Sequence, residues 1–482
     1  MPDLRPVLFV ISLMVTALGL IMFVPMLVDL FYRDTSWPGF ALSGFFTTLF
    51  GAALALASYA PKFTLRPRGA FLLTVFSWCI LSFFAAIPFM LQENGLSMTD
   101  AMFESMSGLT TTGSTVMIGL DDMPKGILLW RALLQWYGGV GIIVTALALL
   151  PRLNIGGMSL FKTEWFEPMG KILPKTGQIA AWIGIVYVGL SMICALIYWL
   201  LGIDPFDAIC LSMTTLSTGG FANSDASFAA YANGGADIAA SIFMAVAAMP
   251  FAAFVLALRG NPMALWRNPQ ARGFLTLLAL VIASMVVYLY LQDHEGDAHP
   301  IRLVMFNVIS MITGTGYGFG DFQTWGPLAP PVFLCLMFIG GCAGSTSCSV
   351  KIFRYQVAFE ALRSYLFQMP RRHAVAPIKY GGRPLPAGAI YSVLGFFFAF
   401  MVCYAVAAIG LTLTGMDEIS AFSSAATAIT NVGPGLGDIV GPSGNFRTVP
   451  DMAKWIMTLA MIVGRLEIIP VLIVLSPGFW RS

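Results

Sequence analysis

Four stretches of the sequence combine a short apolar segment with a glycine-rich turn that also carries hydroxyl or amide side chains. They read AMFESMSGLTTTGSTV, DAICLSMTTLSTGGFA, LVMFNVISMITGTGYGF and SAFSSAATAITNVGPGL, and they align on Gly113, Gly219, Gly316 and Gly433. Glycine permits backbone conformations with positive φ and leaves no side chain between a carbonyl oxygen and a common axis. A ring of such oxygens can replace the hydration shell of a bare cation. These residue types therefore predict the binding and passage of a cation rather than chemistry on a substrate.

Each turn taken alone is also compatible with an ordinary glycine-rich extracellular loop. Four matched copies at similar separations instead favour an internal repeat. The apolar segment before each turn, at about 12 residues, is too short to span a bilayer and is typical of a re-entrant segment. Non-helical backbone at membrane depth is tolerated only where protein covers it or water reaches it. The four turns together therefore predict one shared pathway.

The composition indicates a polytopic membrane protein. Of the 482 residues only 10% are charged, and the mean hydropathy is +0.81, whereas soluble proteins carry about 25% charged residues. The N-terminal apolar run has no clear small-residue cleavage site and is long enough to span, so we interpret it as a first transmembrane helix. Apolar runs predict ten spans, at 7–28, 38–60, 69–91, 127–150, 178–202, 237–258, 273–291, 330–353, 387–413 and 452–476.

The connections between these spans alternate in charge. The positive-inside rule places the basic connections in the cytoplasm, so both termini are expected there. The acidic connections, which contain the four turns, are expected on the opposite side, where their carboxylates could gather cations. Each carboxylate taken alone is better explained as a solvated loop charge. The basic connections lie at 62–68, 152–175, 259–272 and 351–383, and the acidic ones at 100–122, 204–225, 293–297 and 417–438.

The sequence carries no pattern that predicts an enzyme. It has no phosphate-binding Gly-Lys-Ser/Thr loop, so ATP hydrolysis is not expected. Its three histidines lie in predicted loops, and its seven cysteines are scattered through apolar segments without metal-ligand spacing, as small core residues are. No cofactor and no nucleic-acid partner are expected.

The chain resembles the TrkH/KtrB/HKT superfamily of potassium transporters over essentially its full length, and the TrkH branch in particular. The most specific pieces are FESMSGLTTTGSTV, LLWRALLQWYGGVGIIV, GGCAGST, NVGPGLGD and GRLE. The resemblance implies an all-α membrane protein of four potassium-channel-like repeats around one pore. It also implies potassium uptake across the bacterial inner membrane, a homodimer, contact with membrane lipid, and a cytosolic TrkA-like subunit that binds the regulatory nucleotide. The implied parts are two extra N-terminal helices at 1–62 and pore repeats at 63–155, 156–262, 263–360 and 361–482.

The resemblance also assigns a selectivity filter. A serine at the first anchor position accompanies sodium selectivity in related plant transporters, so Gly113 favours potassium. The turns lack a repeated TVGYG sequence, so fewer well-formed ion sites are implied than in a tetrameric potassium channel. Carried over by position, the filter backbone comes from Thr111, Thr112, Gly113, Ser217, Thr218, Gly219, Gly314, Thr315, Gly316, Asn431, Val432 and Gly433.

A gate is implied by the stretch GGCAGSTSCS at 340–349 and by an arginine within the last span. Glycines weaken helices, and the resemblance makes this stretch an intramembrane loop beneath the filter; close packing of small residues is the alternative. An arginine inside a span usually faces a cavity or a partner. In the family the matching arginine lies in the pore, although a structural ion pair is also open, and Arg131 is expected to snorkel. The implied gate residues are Gly340, Gly341, Gly344, Ser345, Thr346 and Arg465.

A proton- or sodium-coupled symporter is the alternative function. Such transporters usually show inverted repeats and intramembrane carboxylates. Here the repeats run in one direction, and Glu467 is the only carboxylate clearly within a predicted span. The channel-like interpretation is therefore preferred, although the sequence leaves the coupling open.

Overall fold

The computed structural model describes residues 4–59, 67–92, 95–148, 176–292, 300–371 and 376–481. The predicted domain boundaries after residues 62 and 155 lie outside the described residues, as do the acidic connection at 293–297 and the basic one at 152–175. Within the described ranges the regular secondary structure is almost entirely helical.

Seven of the described helices are long and apolar enough to cross a membrane. Two further helix pairs pass the same test but are bent at a short break, so the described residues hold up to nine spans. Large apolar side chains such as Phe31 and Leu56 are exposed on them, as a lipid-facing surface requires. The continuous spans are Arg5–Tyr32, Trp37–Ser58, Pro67–Met90, Lys125–Ile143, Gly177–Leu200, Pro269–Leu291 and Ala387–Leu413, and the bent pairs are Ala236–Ala247 with Phe251–Leu258 and Asp451–Arg465 with Ile469–Leu475.

Four short helices, which we call the pore helices, lie where the sequence predicts re-entrant segments. They are only 12 to 14 residues long and are buried over most of their length. Polar residues begin three of them, because the side chains of Ser97, Asp204 and Asp417 accept hydrogen bonds from backbone N–H groups of the first turn. The pore helices are Met98–Leu109, Pro205–Leu216, Pro300–Thr313 and Glu418–Thr430.

The pore helices are arranged in a closed ring. Each one packs against the outer helix before it and against the inner helix that follows the turn of the preceding repeat. The inner helices are Lys125–Ala148, Ala236–Ala247, Ala329–Met337 and Asp451–Arg465, and they contact the second, third, fourth and first pore helices in that order. Since the last contact returns to the first repeat, the four repeats surround a common axis.

The inner helices of the second, third and fourth repeats are broken. The predicted spans 237–258 and 452–476 bend by 91° and 112° at their breaks. The predicted span 330–353 is wrong as a continuous helix, because the helix ends at Met337. A loop follows, in which strand Ile339–Gly340 pairs in parallel with strand Val350–Lys351, and helix Ile352–Gln368 then begins. The small residues at 340–349 therefore form a loop, as the sequence predicts.

The remaining helices lie outside this ring. Helices Arg5–Ile21 and Phe23–Tyr32 pack on Trp37–Ser58, and close approach is possible because Gly19 and Gly51 face threonines of the neighbouring helix. The short described elements are helices Ala264–Arg267 and Pro477–Arg481, strands Lys379–Tyr380 and Arg383–Pro384, and 3₁₀ turns Leu120–Asp122, Ser227–Tyr231, Asn233–Gly235 and Phe322–Trp325.

Candidate ion pathway

Each pore helix ends in a turn of the same backbone geometry. The first residue of the turn has positive φ, the second donates its N–H to a carbonyl in the last turn of the pore helix, and the third is a glycine with positive φ. This arrangement closes the helix end. The turns are Thr111–Thr112–Gly113, Thr218–Gly219–Gly220, Gly314–Thr315–Gly316 and Asn431–Val432–Gly433, and the N–H···O distances at the second residues are 2.8, 2.9, 2.9 and 3.2 Å.

The second turn differs from the prediction by one residue. The sequence alignment anchors this turn on Gly219 and assigns Ser217, Thr218 and Gly219. The structure instead places Gly220, with φ of 77°, at the position of the third-residue glycines of the other turns, and Ser217 ends the pore helix as its C-terminal cap. The equivalent set is therefore Thr218, Gly219 and Gly220.

The four turns contact one another around the axis. A Cβ atom at Gly113 would lie 2.3 Å from the carbonyl oxygen of Gly219, and one at Gly220 would lie 1.9 Å from that of Thr315. A Cβ at Gly316 would lie 1.8 Å from the carbonyl oxygen of Val432, and one at Gly433 would lie 2.9 Å from that of Thr112. Only glycine fits at these positions, because the obstacle is backbone. The turns thus form a closed ring of backbone around the axis.

The second-residue carbonyls of the ring are available to a ligand. Those of Thr112, Thr315 and Val432 accept no hydrogen bond within the described part of the chain. The carbonyl of Gly219 accepts one, from Gln135 Nε2 at 2.6 Å. Buried carbonyls without a donor are rare in proteins, and such oxygens are the groups that coordinate a dehydrated potassium ion in a channel filter.

A buried ion pair supports the first turn from behind. Glu104 of the pore helix and Arg131 of the inner helix are almost fully buried, with 2.9 Å between Arg131 Nε and Glu104 Oε1. The carboxylate also accepts hydrogen bonds from Thr115 Oγ1 and Val116 N, just after Gly113. The expectation that Arg131 snorkels to the membrane surface is wrong, because its partner lies 27 residues earlier on the pore helix.

Arg131 and Gln135 also connect the first repeat to the second. Arg131 Nη1 donates to the carbonyl of Ala222 at 2.8 Å, and its guanidinium lies over the Phe221 ring. One helical turn further on, Gln135 accepts from Phe221 N and donates to Gly219 O. These two side chains therefore fix the second turn from the inner helix of the first repeat.

A cavity of about 210 Å³ lies on the side of the ring that carries the acidic connections and opens onto the four turns. Asp225 lines it, but its carboxylate accepts hydrogen bonds from the N–H groups of Gly119 and Leu120. This acidic residue therefore stabilises a loop, which gives its charge a structural role rather than a role in gathering cations. Within the described ranges no group of three or more His, Cys, Asp or Glu side chains could hold a metal ion.

The loop between Met337 and Ile352, which we call the gate loop, lies at the opposite end of the ring. Cys348 contacts two first residues of the turns: its Sγ lies 3.4 Å from Thr111 Oγ1, and its Cβ lies 3.2 Å from the position of a Cβ at Gly314. Gly340 allows close approach within the loop, because a Cβ there would collide with the carbonyl oxygen of Cys348, and Gly341 allows the loop to approach Ala248 at the end of the second inner helix. The loop thus reaches the underside of the ring.

The other predicted gate residues hold the gate loop in place. Thr346 donates its hydroxyl to the carbonyl of Ala247, and the carbonyl of Gly344 accepts from Phe251 N. The Ser345 hydroxyl donates to Cys342 O within the loop. The structure therefore brings the loop residues together against the bend in the inner helix of the second repeat.

Arg465 is the last residue of the fourth inner helix and is 4% exposed. Its Nη1 contacts Cys348 Sγ and the carbonyl of Thr346. Among the described residues it has no carboxylate within ion-pair distance. Glu467 pairs instead with Arg354, so the alternative of a structural ion pair applies to Glu467 and not to Arg465.

Comparison with known proteins agrees with this architecture. The TrkH family model, described as "Cation transport protein", matches residues 37–481. The chain belongs to the TrkH family. It is similar to the Trk system potassium uptake protein TrkI of Halomonas elongata, with 42% identity over 99% of this chain and 97% of the relative. It is also similar to TrkH of Escherichia coli, with 36% identity over 99% of both chains.

The solved structures include one with the same fold. The crystal structure of the potassium transporter TrkH from Vibrio parahaemolyticus superimposes with a TM-score of 0.91 at 35% identity, over 99% of this chain and 100% of that one. The predicted helical membrane fold and the prediction of a transporter rather than an enzyme are confirmed by this family membership. The chain is a multi-pass membrane protein.

Four residues of the site were not predicted as such. The sequence alignment selects Gly219 instead of Gly220, and the roles of Glu104 and Gln135 depend on contacts between segments distant in sequence. Cys348 has the sequence surroundings of a core cysteine, although its neighbours in the loop are predicted gate residues. The adjacent glycines 219 and 220 are a signal for the second turn, because they offer two possible anchors.

Proposed function

We propose that this protein takes up potassium across the bacterial inner membrane, through a filter formed by the four turns. The closed ring of glycines and carbonyl oxygens carries the proposal. It offers oxygens at membrane depth that accept few hydrogen bonds, and it offers them in a chain whose relatives are named potassium uptake proteins. The corrected filter residues are Thr111–Gly113, Thr218–Gly220, Gly314–Gly316 and Asn431–Gly433.

The gate loop and Arg465 regulate passage in this proposal. A fixed positive charge at the exit of a cation pathway raises the free energy of a cation there, and the gate loop occupies the space directly beneath the turns. Both must move for an ion to leave. The proposal includes a homodimer, both termini in the cytoplasm and a cytosolic nucleotide-binding subunit. The relatives' names support the subunit only in describing components of a "Trk system".

Proton- or sodium-coupled symport is the less favoured alternative. The Glu104 carboxylate is buried behind the first turn, where Arg131, Thr115 and Val116 already donate hydrogen bonds to it, so its position favours a structural role over one in coupling. Flux driven only by an imposed proton or sodium gradient would support the alternative.

The test is rubidium and sodium flux into liposomes that contain the purified protein, with Gly113→Ser as the variant. A serine there meets the Gly219 carbonyl at 2.3 Å, so it should distort the ring and admit more sodium relative to rubidium. Gly119→Ser is the matched control, because Gly119 also has positive φ but a Cβ there meets nothing within 4 Å.

Selective rubidium flux in wild type and Gly119→Ser, with relaxed selectivity in Gly113→Ser, supports the filter. Absence of cation flux in wild type, with and without a TrkA-like subunit and its nucleotide, would contradict the proposal. Equal selectivity of the two serine variants would place the filter elsewhere.

A further inference from the structure

Cys348 lies across the pathway. Two of its contacts are with Thr111 and Gly314, the first residues of the first and third turns. These two repeats are opposite each other, because the contacts of the ring run from each repeat to the next in sequence. A side chain that touches equivalent positions of opposite repeats lies at or near the axis. In this structure the thiol therefore blocks the underside of the filter.

A second observation concerns the arginine beside the thiol. Arg465 is 4% exposed, its Nη1 contacts Cys348 Sγ, and its Nε and Nη2 have no hydrogen-bond partner among the described residues. Buried guanidinium N–H groups without acceptors are costly. An oxygen atom attached to the sulfur would be an acceptor at the edge of this guanidinium, and an anionic oxygen would gain charge-assisted hydrogen bonds.

We propose that Cys348 is an oxidation site and that its oxidation by a hydroperoxide locks the pathway closed. The thiol sulfur attacks one peroxide oxygen: an S–O bond forms, the O–O bond breaks, and the thiol proton leaves with the other oxygen as water or an alcohol. Sulfur loses two electrons, and the peroxide gains them. The product is a sulfenic acid, which an added thiol reduces back.

The position of the oxygen added to Cys348 explains why oxidation would close the pathway. The added atom enlarges a side chain that already lies between opposite turns, and its hydrogen bonds to Arg465 hold the gate loop against the fourth inner helix. Small peroxides reach the thiol when the gate loop moves aside during ion passage, so reaction should be faster in conducting protein.

This inference rests on the proposed function, and the experiment separates the two. Full-length protein in liposomes is treated with hydrogen peroxide during rubidium flux, and each variant is compared with its own untreated sample. Wild type should lose most of its flux and regain it with dithiothreitol, whereas Cys348→Ser should keep its flux. Cys335→Ser is the control, because Cys335 is an exposed thiol outside the loop, and it should behave as wild type.

In the same samples, trapping with dimedone and mass spectrometry locate the sulfenic acid. An adduct on Cys348 that rises with flux is expected. The inference is overturned if Cys348 carries no adduct, if it carries one and flux persists, or if Cys348→Ser is inactivated as wild type is. Untreated wild type without cation flux would instead count against the proposed function, and the adduct would still decide whether the site is oxidised.

Discussion

The buried pair of Glu104 and Arg131 makes a sharp prediction about the filter. Replacing Arg131 with methionine keeps much of the side-chain volume but leaves the Glu104 carboxylate, which is 0% exposed, without its cation. The carboxylate would retain only its hydrogen bonds from Thr115 and Val116. Removing one partner of a buried pair costs about 3–5 kcal/mol, so we expect Arg131→Met to lower the free energy of unfolding by several kcal/mol.

The double variant distinguishes the ion pair from its separate contacts. Glu104→Gln alone leaves Arg131 buried with a neutral partner and should also be destabilising. Glu104→Gln with Arg131→Met leaves no buried charge at this position. The double variant should therefore lose less stability than the two single losses added together, by about 0.5–3 kcal/mol, the coupling typical of residues in contact.

The assay is thermal unfolding of the detergent-solubilised protein, followed by the loss of the monodisperse elution peak, with rubidium-to-sodium selectivity measured in liposomes beside it. Selectivity should fall in both single variants, because Thr115 lies only two residues after Gly113 of the first turn. Additive losses in the double variant, or an Arg131→Met protein with wild-type stability and selectivity, would refute the reasoning.

Three further predictions use the same liposome assay. Gln135→Leu removes the hydrogen bond to Gly219 O, so the selectivity for rubidium over sodium should fall while the folded yield stays near that of wild type; unchanged selectivity would contradict this role. Gly220→Ala places a Cβ 1.9 Å from the backbone of the next turn and should abolish selective flux. If the variant stays selective, Gly219 and not Gly220 is the equivalent of the other third-residue glycines. Arg354→Met removes the ion-pair partner of Glu467, which lies in the break of the fourth inner helix with φ of 60°. This variant should raise flux in the absence of any partner subunit. Reduced flux would instead show that the ion pair supports the open state.

The pore helices could be predicted from sequence because their signal is local. A segment too short to span, a polar first residue such as Ser97 or Asp417 and a glycine-rich end are all visible in the sequence. Four copies supply the alignment that a single copy lacks. The glycines of the gate loop predict that loop in the same way. Only the predicted span 330–353 is wrong, because the helix ends at Met337.

The register of the second turn could not be predicted in this way. Gly219 and Gly220 are equally able to adopt positive φ, so the local sequence does not choose between them. The choice is made by tertiary contacts: the carbonyl of Thr315 lies against Gly220, and the side chain of Gln135 lies against Gly219. A Cβ at either position would collide, but with different partners.

The burial of Arg131 could not be predicted for a related reason. Its position near the end of the helix predicts snorkelling, and nothing on that helix indicates a partner. Glu104 lies on a different helix, within a segment that reads as small and apolar. The cost of desolvation favours pairing of buried charges, but the identity of the partner depends on the ring, which sequence spacing does not specify.

The breaks in the inner helices are connected by their hydrogen bonds. The bend after Ala247 frees the carbonyls of Ala247 and Ala248 and the N–H of Phe251. The gate loop satisfies all three, since Thr346 and Cys342 donate to the carbonyls and Gly344 O accepts from Phe251. Free backbone groups in the membrane interior cost several kcal/mol each. The gate loop therefore cannot leave the filter alone: either the second inner helix moves with it, or water enters to replace these bonds.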